Sequence, residues 1–138
     1  MKPQFLVGAM MPGSGQTLVA LGLMRALRQR NLRVQSFKCG PELADLRYHA
    51  LAADREPVSL DTWMGSRSHL QTVYNRYGEK SDVCVVEGRA GLFDGFRKTQ
   101  GSSAEMARLM KIPVVMVVSA HNAGYSTAAM LYGFKHFN

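Results

Sequence analysis

The chain has 138 residues, a length that suits one domain with a hydrophobic core. Hydrophobic residues make up 46% and charged residues 20%, a composition that excludes an intrinsically disordered chain. The net charge of +7 points to anionic partners such as nucleotides, polycarboxylates, nucleic acid or acidic lipids. No apolar run reaches the ~18 residues of a membrane span, so the sequence predicts no membrane association.

Apolar strands and amphipathic helices alternate along the chain. Strands are predicted at residues 4–9, 32–38, 83–86 and 113–118, and helices at residues 17–30, 66–77, 102–110 and 126–137. Residues 42–53 are predicted to pass from loop into helix, and residues 57–61 to be connecting chain. The alternation predicts an α/β fold whose mostly parallel sheet is flanked by helices in three layers.

The segment from residue 5 to residue 30 reads as a strand, a loop of small residues and a helix. The loop consists of Gly13, Ser14, Gly15, Gln16 and Thr17. Glycines allow backbone N–H groups to converge on a phosphate, and the N-terminus of the helix adds partial positive charge. This order predicts a P-loop in which the Thr17 hydroxyl binds Mg²⁺. Gln16 stands where a P-loop has its lysine, so the loop lacks its main cation.

Polar residues follow the other predicted strands. In a parallel sheet the carboxyl ends of the strands meet at one edge, and ligands bind there. The polar residues after the second, third and fourth strands include Lys38, Glu42, Asp45, Glu87, Asp94, Ser119 and His121. Their convergence on the edge that holds the glycine loop is stronger support for a binding site than any single motif.

Three segments carry a resemblance to a known family. Residues 13–17 read Gly-Ser-Gly-Gln-Thr, residues 37–41 read Phe-Lys-Cys-Gly-Pro, and residues 87–95 begin with Glu-Gly and end with Gly-Leu-Phe-Asp-Gly. At this spacing they resemble the N-terminal, dethiobiotin-synthetase-like ATP-binding domain of the cobyrinic acid a,c-diamide synthases. The resemblance covers nearly the whole chain. It implies a P-loop NTPase-like fold and one ATP-binding synthetase domain over residues 1–138, incomplete at its C-terminus and without the glutaminase domain.

The resemblance also implies a reaction and a set of site residues. It implies a carbon–nitrogen ligase of cobalamin biosynthesis that uses ATP and Mg²⁺ to phosphorylate a peripheral carboxylate of a corrin ring. Ammonia from a glutaminase then displaces the phosphate and leaves an amide. The implied nucleotide-binding residues are Gly13, Ser14, Gly15, Gln16, Thr17 and Lys38; the implied metal ligands are Thr17, Glu42 and Glu87; the implied substrate or catalytic residues are Asp45, His49 and Asp94. Asp45 is an alternative to Glu42 at the metal, His49 is alternatively structural, and Asp94 is alternatively a turn former.

Two functions stay open at this stage. Gln16 carries no charge and Pro12 has no N–H for a phosphate, which favours a non-catalytic domain that binds nucleotide or corrinoid, or docks on a partner. Thr17, Lys38 and Glu87 are retained, which favours an active amidoligase. The glycine loop and Thr17, without the lysine, predict that nucleotide binding is weak.

Glu87 ends a wholly apolar strand, where a carboxylate without a partner is costly. We expect Mg²⁺ as that partner. Without metal, the carboxylate would need backbone N–H donors or a raised pKa. Lys38 is expected to substitute in part for the missing P-loop lysine.

The expected partners follow from charge, composition and resemblance. The substrate is a corrin polycarboxylate, a separate glutaminase is a possible partner, and an incomplete sheet edge makes a homodimer plausible. No module for nucleic-acid recognition is present, so no nucleic acid is expected. Cys39 and Cys84, without metal-binding spacing, predict free thiols and a cytoplasmic location.

Overall fold

The structure is a computed structural model that describes residues 2–89, 91–121 and 123–137. Ten elements alternate along the chain: β1 (Gln4–Ala9), α1 (Gln16–Gln29), β2 (Val34–Cys39), α2 (Leu43–Ala53), β3 (Val58–Leu60), α3 (Arg67–Gly78), β4 (Val83–Glu87), α4 (Ser103–Met110), β5 (Val114–Val117) and α5 (Ser126–His136). The predicted helices are all present, and their bounds shift by one or two residues. Asn31 has a positive φ of 61° just after α1, as expected for a residue that ends a helix.

The five strands form one parallel sheet in the order β3-β2-β4-β1-β5. The predicted parallel α/β fold is therefore confirmed. The prediction that residues 57–61 are connecting chain was wrong, since β3 pairs with β2 in the register Cys39↔Leu60. A strand of three residues is too short to show a period, and only its position beside β2 makes it a strand.

Each face of the sheet is covered by its own pair of helices. On one face, Leu70 and Tyr74 of α3 and Met106 of α4 pack into a core with strand residues such as Phe37. On the other face, Ala20 and Met24 of α1 and Ala53 of α2 pack against the strands. The two helix pairs and the sheet between them give the three layers that the sequence predicted, because a strand buried on both faces needs a helix layer on each side.

The fifth strand lies at an edge of the sheet and is only partly covered. Val114 and Val115 are 36% and 43% exposed, and α5 contains no buried residue. Phe93 contacts α5 through Phe134, with ring centroids 5.6 Å apart. None of the helices in the described ranges is long and apolar enough to cross a membrane.

Candidate functional site

A cleft of about 400 Å³ lies at the carboxyl edge of the sheet. It opens between the glycine loop that joins β1 to α1 and the ends of β2 and β4. Its polar and loop lining comprises Gly13, Ser14, Gly15, Gln16, Thr17, Lys38, Glu42, Asp45, Glu87 and Gly88. The structure thus gathers all six predicted nucleotide-binding residues and all three predicted metal ligands around one cavity.

The N-terminus of α1 lines this cleft. A helix leaves its first N–H groups without intrahelical partners, and no side chain among the described residues caps this end. Gly13 and Gly15 have φ of 77° and 84°, which only glycine adopts without strain, and a Cβ at either position would meet no atom within 4 Å. The loop is therefore an open cradle of backbone donors, as an anion-binding helix terminus requires.

Glu87 is fully buried and lies at the centre of a hydrogen-bonded network. Its Oε1 accepts from the Thr17 hydroxyl at 2.6 Å and from Lys38 Nζ at 3.0 Å, and its Oε2 lies 2.5 Å from His49 Nε2. The strand register explains the ion pair, because Lys38 of β2 stands opposite Glu87 of β4. His49 comes from α2 and is itself fully buried.

The network determines the protonation of Glu87. Burial raises the pKa of this carboxyl, but hydrogen bonds from His49 and Thr17 and the charge of Lys38 offset that effect and leave the pKa below its ordinary value. The expectation of backbone donors or a raised pKa was therefore wrong. The donors are side chains, and the cation that Glu87 needs is already supplied by Lys38.

Lys38 is consequently engaged by carboxylates. Besides Glu87, its Nζ lies 3.4 Å from Asp45 Oδ2 and 3.8 Å from Glu42 Oε2, and it donates to the Gly88 carbonyl at 3.1 Å. The Lys38 side chain is only 5% exposed. Much of its charge is thus offset within the chain before any phosphate arrives.

The Gly88 carbonyl is a functional group of the cleft that the sequence did not reveal, and Ser103 supports the segment that follows it. The Gly88 oxygen accepts from both Lys38 and the Gln16 amide, the latter at 2.6 Å. Ser103 Oγ accepts from the Arg89 N–H at 2.7 Å and so holds the segment after β4 against α4. Ser102 caps α4, since its Oγ accepts from the Glu105 N–H. A backbone carbonyl leaves no signal in side-chain patterns.

The predicted substrate residues lie in different environments. Asp45 is at the rim of the cleft beside Lys38, whereas His49 is buried behind Glu87. Asp94 is exposed and is not part of the cleft lining; its carboxylate lies over Gly91, where a Cβ would come within 1.8 Å of Asp94 Oδ2. These contacts favour the turn-forming alternative for Asp94 and a positioning role for His49.

The donor set at the loop fits a divalent cation. A hydroxyl has one proton and two lone pairs, and the Thr17 proton is directed to Glu87, which leaves the lone pairs for a metal. Mg²⁺ takes one or two protein oxygens together with waters and phosphate oxygens. Within residues 2–89, 91–121 and 123–137 no group of three His, Cys, Asp or Glu side chains forms a complete metal site. Any Mg²⁺ here would therefore depend on waters and phosphate oxygens for most of its ligands.

Comparison with known proteins places these features in a family. Residues 6–132 match the CobQ/CobB/MinD/ParA nucleotide binding domain. The chain is 41% identical over 130 residues to a cobyrinate a,c-diamide synthase of Picrophilus torridus, covering 93% of this chain and 29% of that protein. It is 39% identical over 134 residues to a hydrogenobyrinate a,c-diamide synthase of Brucella anthropi, covering 96% of this chain and 31% of that protein. The chain thus spans about a third of the length of these relatives.

The fold agrees with a solved structure of distant sequence. The signal recognition particle receptor FtsY of Elizabethkingia anophelis superposes with a TM-score of 0.64 at 16% identity, over 96% of this chain and 47% of that one. At this identity the likeness shows the P-loop NTPase fold alone. The family match and the resemblance to the diamide synthases carry the assignment further: this chain belongs to the CobQ/CobB/MinD/ParA nucleotide-binding domain family.

Proposed function

We propose that the chain binds ATP with Mg²⁺ in the cleft, as the nucleotide-binding domain of an amidoligase of the cobyrinate a,c-diamide synthase type. The observation that carries this proposal is the convergence of the open N-terminus of α1 with Thr17 and Glu87 at the same edge of the sheet. A cradle of N–H donors suits polyphosphate, and an adjacent hydroxyl–carboxylate pair suits its metal.

In this proposal each group has a separate task. The backbone of residues 13–17 and the first turn of α1 hold the phosphates, and Thr17 and Glu87 would hold Mg²⁺ with Glu42 or Asp45. When bound, Mg²⁺ neutralises phosphate charge during phosphoryl transfer. His49 keeps one Glu87 oxygen in place, which leaves the other toward Thr17 and Lys38.

The acceptor in the proposed reaction is a corrin carboxylate. Its oxygen would attack the terminal phosphorus of ATP, ADP would leave, and ammonia would then displace phosphate from the acyl phosphate to form the amide. The names of the relatives and the basic charge of the chain support a polycarboxylate acceptor. A glutaminase on another domain or chain would supply the ammonia. A homodimer through the exposed β5 edge and a cytoplasmic location complete the proposal.

Calorimetric titration tests the nucleotide site. Losing a charge-assisted contact costs about 1.5–3 kcal/mol, so we expect Gln16→Lys to bind ATP-Mg²⁺ roughly one to two decades more tightly than the parent. Gln29→Lys is the matched control, because it adds the same charge to an exposed position at the far end of α1, about 20 Å away at 1.5 Å per residue. Equal affinities in the three proteins would remove the loop as a phosphate site.

A non-catalytic binding domain is the second candidate function. Gln16 in place of lysine and the offset charge of Lys38 favour it, because both weaken stabilisation of a transferred phosphoryl group. Incubation with cobyrinic acid, ATP-Mg²⁺ and ammonium separates the two candidates. ADP and a corrin amide, detected by mass spectrometry, would support the ligase; nucleotide binding without either product would support the binding domain.

A further inference from the structure

The side chains that line the cleft offer little net positive charge to a polyphosphate. Gln16, at the place of the P-loop lysine, is neutral, and its amide donates to the Gly88 carbonyl. Lys38 Nζ lies 3.0, 3.4 and 3.8 Å from three carboxylates of the lining, which offset its charge. In a P-loop the backbone N–H groups hold the inner phosphates and the lysine reaches the outer ones. The terminal phosphate is therefore the group that loses most when the lysine is absent.

Arg89 lies next to this part of the cleft and is held there by its backbone and its stem. Its N–H donates to Ser103 Oγ at 2.7 Å. It directly follows Gly88, whose carbonyl accepts from the Gln16 amide at 2.6 Å. The side chain runs from the end of β4 toward the end of β2, where a Cβ on Gly40 would lie 3.0 Å from Arg89 Cδ. The absence of a side chain on Gly40 thus leaves space for the Arg89 stem at the carboxyl edge of the sheet.

The guanidinium of Arg89 stands at the rim of the cleft in a loose ion pair. Its Nε lies 3.9 Å from Oε1 of Glu42, a residue of the cleft lining, and this distance is too long for a hydrogen bond. The Arg89 and Glu42 side chains are 28% and 45% exposed, and ion pairs in contact with water contribute little to stability. A phosphate can therefore replace Glu42 at small cost. The planar fork of an arginine donates two parallel hydrogen bonds to a phosphate.

We propose that Arg89 supplies the cation that the glycine loop lacks and binds the terminal phosphate of the nucleotide. The segment that carries Arg89 also carries the carbonyl on which the Gln16 amide rests, so the missing charge is supplied from the residue next to that contact. The inference rests on the proposed nucleotide site and adds one residue to it.

Calorimetric titration with ATP-Mg²⁺ and with ADP-Mg²⁺ tests this assignment. We expect Arg89→Met to bind ATP at least tenfold more weakly than the parent, the size of one charge-assisted contact, and to bind ADP as the parent does. Arg76→Met is the matched control, because it removes the same charge from an exposed position in the last turn of α3, just before β4 begins at the opposite edge of the sheet. Its ATP affinity should equal that of the parent. Thermal unfolding by circular dichroism establishes that each variant is folded.

A double variant tests whether Arg89 takes the place of the lysine. Gln16→Lys provides the loop with its own cation, so adding Arg89→Met to it should cost less ATP affinity than Arg89→Met costs in the parent. Equal losses with and without Gln16→Lys would show that the two positions act independently, and the substitution of one cation for the other would be refuted.

The remaining outcomes separate this inference from the proposed function. If Arg89→Met loses no more ATP affinity than Arg76→Met, or loses ATP and ADP affinity alike, Arg89 does not bind the terminal phosphate and the nucleotide site stands without it. If Arg89→Met keeps its ATP affinity and binds cobyrinic acid more weakly than the parent, the guanidinium serves the acceptor, and the assignment to phosphate is wrong. If neither the parent nor Gln16→Lys binds nucleotide, the proposed function fails, and the inference fails with it.

Discussion

Replacing Glu87 by Gln removes the buried negative charge around which the site is organised. A Gln amide can keep its oxygen toward Thr17 and Lys38 and turn its NH₂ toward His49, so the hydrogen bonds are largely preserved and the charge is lost. Among the described residues, the carboxylate nearest to Lys38 Nζ would then be that of Asp45, at 3.4 Å.

The expected cost lies between two known cases. Leaving a buried charge wholly without its partner costs about 3–5 kcal/mol, and losing one charge-assisted hydrogen bond costs about 1.5–3 kcal/mol. Because Asp45 remains beside Lys38, we expect the free energy of unfolding to fall by about 1.5–3 kcal/mol. If Glu87 served only as a metal ligand, no such loss would be expected in the absence of metal.

Urea unfolding followed by circular dichroism, without added metal, measures this loss. Asp54→Asn is the matched control, because it neutralises a carboxylate that is 72% exposed and pairs with Arg28 at the surface, where such pairs contribute about 0–1 kcal/mol. Adding Lys38→Met to Glu87→Gln should restore part of the loss, since both buried charges are then gone. If Glu87→Gln loses no more than Asp54→Asn, Lys38 does not depend on Glu87 and the network described above is not a unit.

Three further outcomes are expected. Arg33 lowers the pKa of Asp82 from 3.8 to about 2, so this pair stabilises the fold above pH ~3.8 and its contribution is lost as the pH falls toward 2. The difference in urea midpoint between the parent and Asp82→Asn should therefore disappear between pH ~3.8 and about 2. Burial raises the pKa of Cys39 to about 12, so its thiol should resist an aromatic disulfide reagent until the protein is unfolded in urea, and rapid labelling of the native protein would contradict its burial. Gly88→Ala should destabilise the fold by about 1–3 kcal/mol because its Cβ would lie 2.5 Å from Ser103 Oγ. Part of this loss of stability should disappear when Ser103 is also replaced by Ala. Equal losses with and without Ser103→Ala would show that this contact is not the cause.

The positions of the main site residues could be predicted from the sequence by one physical rule. Carboxyl ends of parallel strands meet at one edge, so Lys38 near the end of β2, Glu87 at the end of β4 and the glycine loop after β1 had to approach each other. The strands themselves were readable because β1 and β4 are continuous apolar runs buried on both faces. The family resemblance also came from residues that lie at this edge.

The electrostatic state of the site was decided only by the tertiary structure. The register between β2 and β4 pairs Lys38 with Glu87, so the lysine expected to serve phosphate is already held by a carboxylate. A buried histidine from α2 completes the network and offsets the burial that would otherwise raise the Glu87 pKa. These effects depend on distances of 2.5–3.0 Å from Glu87 to residues far from it in the chain, and no local pattern encodes them.

The amino-acid sequence by itself therefore determined that this protein has an α/β fold with a parallel sheet, and that a glycine loop and three carboxylates lie at one edge of that sheet. Local propensity and hydrophobic period act over a few residues, which is the range that sequence patterns report. Packing decided that β3 is a strand, that Asp94 lies outside the cleft and that the Gly88 carbonyl receives both Lys38 and Gln16. Each of these outcomes depends on which segments meet in three dimensions, because the strength of a buried charge or hydrogen bond is determined by its neighbours and its distance from water.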